Sequence, residues 1–373
     1  MGPQHLDRHQ GRLRVRSGRI ARRCRGNGVG TTEGGLTGIV GAREAVPEFV
    51  LLTGSLGSGK TTLLCDYLSL PESADTGVIV NEAGEINVDG AIVSSGRRDL
   101  PMTLLGNGCV CCSLGDDLHS AIDELLVVRR QSGAGGFHRI VLETSGLAMP
   151  GPILRSLMRY DWAEYRLRIV STLDALAPMA EEVTFSIRSA QLTAARSIVF
   201  TKLDRAGTDQ VTAAGCVAKQ FNPAASRIVE VDRTARARAV FDPKYIETAM
   251  PLSQFEAIAA TDHSRLGVFF AEWPTAVAWS DLTDWLEDLA GLCGDRLLRT
   301  KGLVAVAGAS RCLLIDGVGA TFAEPRWMEL DHSTKRGIVI IARDVDLPEL
   351  TALSADYPED ARPIVKSSKS RAA

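Results

Sequence analysis

FVLLTGSLGSGKTTLLCDYLSL, Phe49 to Leu70, decides the fold class. Phe49 to Gly54 is a short apolar run of the kind that makes a buried strand, and GSLGSGKT follows it without a gap. From Thr61 the apolar residues recur at helical spacing until Pro71 stops them. Strand, glycine-rich loop and helix in that order complete the pattern G-x-x-x-x-G-K-[ST], with Gly54, Gly59, Lys60 and Thr61 in the required places. Glycines let backbone N–H groups turn inward around phosphates, and the positive end of the following helix points at them. The loop residues Gly54, Ser55, Gly57, Ser58 and Gly59 are therefore expected to cradle a nucleoside triphosphate. Lys60 should reach the β- and γ-phosphates, Thr61 should ligate Mg²⁺, and Thr62 adds a phosphate contact that the motif does not require.

Working outward, three further strand ends carry polar groups. Gly77 to Val80 reads as a strand closed by Asn81 and Glu82, and an acid at the carboxyl end of a strand beside a phosphate loop can hold water or metal. Glu82 is thus a switch candidate; Glu85 and Asp89 have weaker claims. RIVLE, Arg139 to Glu143, is a strand followed by Thr144, Ser145 and Gly146. Its terminal carboxylate can orient Mg²⁺ through water, and the Gly146 N–H can report on the γ-phosphate. SIVF, Ser197 to Phe200, precedes Thr201, Lys202, Leu203 and Asp204. In such a TKxD loop the Asp204 carboxylate can accept from N1–H and the exocyclic amine of guanine, and the Lys202 stem can cover the base.

A different chemistry sits in GNGCVCCSLGDDL, which places Cys109, Cys111 and Cys112 ahead of a helix from about Gly115 to Arg130. Three thiolates this close suit Zn²⁺ or another soft divalent metal such as Co²⁺. Adjacent Cys111 and Cys112 make a closed four-thiolate site awkward, so the fourth ligand falls to water, a carboxylate such as Glu82, a second subunit or a client. An open site suits transfer or sensing better than permanent structure.

Charge narrows the partners. The formal charge is −3 over 373 residues, but residues 1–45 hold nine Arg and three acids, a formal +6 that leaves −9 for the rest. An acidic body disfavours nucleic acid as its main partner. The arginine-rich head cannot build a core and reads as a disordered extension. With no apolar run of membrane-spanning length and no leader h-region, and with a reduced-thiol pattern among its eight Cys, the chain is expected in the cytoplasm.

Taken in order, GSLGSGKTTLL, VNEAG, GNGCVCCSLGDDL, ETSGLAMP and TKLD resemble the metallochaperone GTPase family that includes the cobalamin-synthesis W protein, nitrile hydratase activators and zinc chaperones. The resemblance spans roughly residues 47–350. It implies Mg²⁺ and GTP at Lys60 and Thr61, metal at Cys109, Cys111 and Cys112, a metal-responsive switch near Glu82 and Glu143, and guanine recognition by Lys202 and Asp204. It also implies a client metalloenzyme or cofactor-assembly protein as partner, with a homodimer as a further option. Two departures stand out. The family usually carries Asn where this chain has Thr201, which predicts weaker bracing of the loop. No histidine cluster is present among the six His, which favours a dedicated activator over bulk metal storage. A P-loop small-molecule kinase, or another NTPase with a structural metal site, is the competing reading.

The expected architecture is α/β. A P-loop NTPase domain with a largely parallel sheet covers 46–245, a linker 246–262, a small α+β domain 263–350 and a flexible tail 351–373, after the extension at 1–45. Within the small domain, LGVFFAEW, GLVAVA, RCLLID and GIVIIA read as strands and DLTDWLEDLAGL as an amphipathic helix; Arg299 and Lys301 read as a solvated charged turn, with contact to nucleotide or the first domain as the alternative.

Overall fold

The computed structural model describes residues 47–80, 102–104, 114–157, 165–178, 184–223, 225–241, 265–328, 336–355, 357–359 and 361–367. In the first half, strands β1 (Glu48–Gly54), β2 (Thr76–Val80), β3 (Met102–Leu104), β4 (Arg139–Glu143), β5 (Arg166–Asp174), β6 (Ser197–Thr201) and β7 (Ser226–Ile228) make one sheet in the order β3-β2-β4-β1-β5-β6-β7. Every pairing in it is parallel. All seven residues of β1 are buried, as expected for a continuous apolar strand with helices on both faces. The helices are α1 (Lys60–Leu68), α2 (Leu114–Gln131), α3 (Pro150–Leu157), α4 (Phe185–Ala194), α5 (Thr208–Phe221) and α6 (Arg233–Phe241).

Parallel pairing has a functional consequence: every strand delivers its carboxyl end to the same edge. The register sets Leu52 and Val80 opposite Glu143, Gly54 opposite Thr172, and Asp174 opposite Thr201. β1 lies between β4 and β5, so the chain reverses its winding direction beside the glycine loop, where open α/β sheets form their ligand crevice.

The opposite edge is locked by an ionic network that the hydrophobic pattern did not announce. Glu48 at the start of β1 accepts from Arg168 Nε at 2.7 Å and from Arg139 Nε at 3.0 Å. Arg139 also donates to the Tyr67 hydroxyl and, at 2.6 Å, to the Phe241 carbonyl; Arg168 donates to the Val240 carbonyl at 2.6 Å. These carbonyls end α6, where the helix dipole favours positive charge. All three ionic side chains are buried. Burial by itself would push the Glu48 carboxyl up, but the two guanidinium charges and their hydrogen bonds outweigh it and hold the group below its ordinary range.

The second sheet is antiparallel. It holds β8 (Leu266–Glu272), β9 (Leu297–Ala305), β10 (Cys312–Val318), β11 (Thr321–Phe322), β12 (Arg326–Met328), β13 (Gly337–Arg343) and β14 (Ile364–Ser367), in the order β11-β10-β9-β13-β8-β14 with β12 on β10. Helix α7 (Trp279–Cys293) buries Leu282, Trp285, Leu286 and Leu289 against one face, and Trp285 meets Trp273 edge-on with ring centroids 5.1 Å apart. The other face shares a cluster with the first half: Leu192, Phe200 and Phe221 pack with Leu266, Leu298 and Ile341.

Two expectations are corrected here. Residues 351–373 are not simply a tail, because α8 (Leu347–Ala355) runs into them and β14 pairs with β8. Tyr357 donates to Asp288 at 2.6 Å, and Trp273 donates to the Ala361 carbonyl at 2.9 Å, so this segment closes the second core. Arg299 and Lys301 lie within strand β9, where Arg299 pairs with Asp316 at 2.7 Å, rather than in a solvated turn. Residues 1–45 and 246–262 lie outside the described residues.

Candidate nucleotide and metal site

β1 ends at Gly54, whose φ of 140° and surroundings both require glycine. A Cβ there would stand 2.3 Å from Thr172 Oγ1 and 2.8 Å from Ser58 Oγ. The chain turns through Gly57 and Gly59, also at positive φ, and the Ser58 N–H closes the loop on the Ser55 carbonyl at 3.1 Å. Helix α1 starts at Lys60 behind a left-handed Gly59 and has no side-chain cap, so its first N–H groups face the loop.

Lys60 is 7% exposed, and its ammonium donates to the Gly54 and Ser55 carbonyls at 2.9 and 3.2 Å. The charge is thus held at the loop, within reach of whatever the loop encloses. Thr61 donates to Glu143 Oε1, which brings a hydroxyl and a buried carboxylate together at the end of β4. Thr62 is half-buried on the same helical turn. Glu143 reaches one turn further along α1: the Cys65 thiol is pushed up to about 11, first by burial and then by the Glu143 and Asp66 charges, so it stays a thiol.

Gly146 packs against the loop itself. A Cβ on it would fall 2.4 Å from the Leu56 N and 2.6 Å from the Leu56 Cα, an approach open only to glycine. On the far side of β1, Thr201 Oγ1 donates to the Ser58 carbonyl at 2.7 Å. The hydroxyl at this position ties the TKLD loop to the phosphate loop. Lys202 takes a φ of 57°, and its Nζ pairs with Asp174 Oδ2 at 2.6 Å. Asp204 is exposed.

Thr172, Asp174 and Gln191 were not singled out from the sequence. Thr172 shares a 2.6 Å hydrogen bond with Ser58, and Gln191 on α4 donates to the carbonyls of Gly146 and Ala148. The polar residues of STLD at the end of β5 were a signal for the first two; nothing in the sequence marks Gln191. Glu82, Cys109, Cys111 and Cys112 lie outside the described residues, as do Glu85 and Asp89.

A glycine loop, a buried lysine, a hydroxyl on a carboxylate and the Thr201 to Asp204 loop, all on one edge of a parallel sheet, define a P-loop nucleotide-binding protein. The CobW/HypB/UreG nucleotide-binding domain matches residues 48–229, and the cobalamin synthesis protein cobW C-terminal domain matches residues 268–355. The zinc chaperone YjiA of Escherichia coli is 30% identical over 319 residues, covering 80% of this chain and 94% of that protein. The zinc chaperone CobW of Pseudomonas aeruginosa is 27% identical over 341 residues, covering 79% and 87%. The crystal structure of Zn(II)-bound YjiA GTPase from E. coli superposes with a TM-score of 0.58 at 24% identity, over 82% of this chain and 98% of that one, and shows the same fold. The chain belongs to the CobW/HypB/UreG family.

Proposed function

We propose that the chain couples hydrolysis of GTP to delivery of Zn²⁺, with Co²⁺ as the alternative cargo, to a client metalloprotein in the reducing cytoplasm. It is a GTPase of the metallochaperone class, in keeping with its family and its relatives. One observation carries the reading: Lys60, Thr61, Glu143 and the Thr201 to Asp204 loop converge on the glycine loop at one sheet edge.

The residues fit Mg²⁺ with GTP. Gly54 and Gly146 let the loop backbones approach where a Cβ would collide with Thr172 or Leu56, and Thr61 with Glu143 offers adjacent hard oxygen donors. Mg²⁺ held there would neutralise phosphate charge. Lys60 exchanges its two carbonyls for phosphate oxygens, and the loop N–H groups stabilise the charge that develops on the transferring phosphoryl group. Asp204 selects guanine while the Lys202 stem covers the base. Gly146 is the element of the second loop closest to the phosphate loop, so it is suited to report the γ-phosphate.

Cys109, Cys111 and Cys112 hold the cargo metal, because thiolates select soft divalent ions and the two relatives above are zinc chaperones. Glu82 is the candidate that links metal to nucleotide. A metalloenzyme or cofactor-assembly protein, or a second copy of the chain, completes the metal's coordination. Metal and nucleotide must then be linked reciprocally, by about 1–3 kcal/mol. Titrating Zn²⁺ under reducing conditions with no nucleotide, with GDP or with a non-hydrolysable GTP analogue measures the linkage. The C111A/C112A variant should lose tight metal binding and the linkage while keeping nucleotide affinity. Equal metal affinity in all three states rejects the coupling.

A further inference from the structure

Helix α4 carries an unusual load for a buried helix: Ser189, Gln191 and Thr193 are each no more than 1% exposed. Thr193 satisfies itself on the Ser189 carbonyl one turn back at 2.6 Å. The helix end is fastened by Asn222, whose amide donates to the carbonyls of Leu192, Thr193 and Ala195 at 3.0, 3.0 and 2.7 Å. Gln191, by contrast, reaches out of the helix, as Arg188 does toward the Ala177 carbonyl. Its Nε2 donates to the Gly146 carbonyl at 3.1 Å and to the Ala148 carbonyl at 3.0 Å, and two carbonyl acceptors require the NH₂ end there. Its Oε1 is buried without a hydrogen-bond partner among the described residues. A buried amide that leaves its own oxygen unsatisfied costs free energy. For core packing a methionine or leucine would serve without that cost.

What Gln191 holds is the loop that presses Gly146 on the phosphate loop. Fixing the carbonyls on either side of Leu147 stops that segment from rotating away from Leu56. The next residue of the helix, Leu192, lies in the cluster shared with Leu266, Leu298 and Ile341 of the second sheet. Adjacent residues of one helix therefore grip the Gly146 loop and the second domain.

We propose that Gln191 is a positioning residue for GTP hydrolysis: by holding the Gly146 and Ala148 carbonyls it sets the loop that distinguishes the triphosphate from the diphosphate, and it ties that loop to the helix on which the second sheet rests. The inference rests on the nucleotide reading above. A residue that only stabilises the fold would affect both nucleotides alike, whereas a residue that sets this loop affects the one with a γ-phosphate.

The test uses the full chain with Gln191→Met, which keeps the volume and removes the donor. Equilibrium affinities for GDP and for a non-hydrolysable GTP analogue, both with Mg²⁺, are compared with kcat and KM for GTP. The expected result is GDP affinity within twofold of the parent, analogue affinity reduced at least fivefold and kcat reduced about tenfold. Leu192→Ala serves as the packing control, expected to lower the melting temperature while leaving the ratio of the two affinities unchanged. If Q191M does not fold, Gln191→Ser, which leaves room for water on the two carbonyls, carries the same comparison. An unchanged affinity ratio in the folded variant overturns the proposal. Lys60→Ala separates the two levels of argument: if it leaves both affinities intact the nucleotide site itself is misplaced, and if it abolishes them while Q191M keeps the parental ratio, only the positioning role falls.

Discussion

Replacing Gly146 with alanine adds a single methyl group where the Gly146 loop packs on the phosphate loop. The new Cβ would stand 2.4 Å from the Leu56 N, and ordinary contact begins at 3.4 Å, so one side must retreat by about 1 Å. The phosphate loop is the stiffer side. Its Ser58 N–H bonds the Ser55 carbonyl, its Ser58 carbonyl accepts from Thr201, and its Ser58 hydroxyl is paired with Thr172. The Gly146 loop must therefore yield, against the grip of Gln191. A displacement of about 1 Å in a group that positions the reaction costs on the order of 100-fold in rate, or about 2.7 kcal/mol in the barrier. GDP, which lacks the γ-phosphate, should bind G146A within about threefold of the parent. Single-turnover GTP hydrolysis together with equilibrium GDP binding reads both quantities. Hydrolysis at the parental rate would refute the argument that this contact sets the loop for catalysis, and a matching loss of GDP affinity would show that the phosphate loop had moved instead.

Three further outcomes are expected. Thr201→Val removes the donor to a buried carbonyl and should weaken GDP and GTP together by about 1 kcal/mol, roughly fivefold, in equilibrium binding; no change would mean that the hydroxyl does not brace the loop. Glu48→Gln leaves Arg139 and Arg168 buried without their counter-charge and should lower the unfolding free energy by about 3–5 kcal/mol in denaturant titration, with nucleotide affinity retained because the network lies at the opposite sheet edge. Burial lowers the Lys301 ammonium to about 8, against the pull of Asp316. Below that pH both folded and unfolded chains hold the proton and the folded state bears the full penalty, about 3 kcal/mol. Between about 8 and the ordinary 10.5 only the unfolded chain holds it, so stability from this group rises with pH. Lys301→Met should be more stable than the parent at pH 7 and should lose that advantage by pH 10; a constant difference across the range would exclude the linkage.

Much of the nucleotide site was legible from local order along the chain. A phosphate loop is a continuous stretch, so strand, glycines, Lys60 and Thr61 announce it by spacing alone. Glu143 and the Thr201 to Asp204 loop were readable because each closes a short apolar strand, and a parallel sheet sends all such ends to one edge. β14 was not legible, because a four-residue strand with the burial pattern exposed, half-buried, exposed, half-buried carries almost no hydrophobic signal of its own. It exists because the edge of β8 offers it hydrogen bonds.

The sequence by itself determined the class of chemistry, since phosphate binding, soft-metal binding and base recognition each depend on residue types at short spacing. Tertiary structure alone decided which partners those residues meet. That Thr201 reaches Ser58, 143 positions away, follows from β6 and β1 ending side by side across β5. That Gln191 governs a loop 45 positions earlier follows from how α4 packs, and Glu48 finds its two arginines 91 and 120 positions later because parallel strands align their starts as well as their ends. Such contacts have no period and no motif; they are set by the packing of distant segments, which pattern along the chain does not encode.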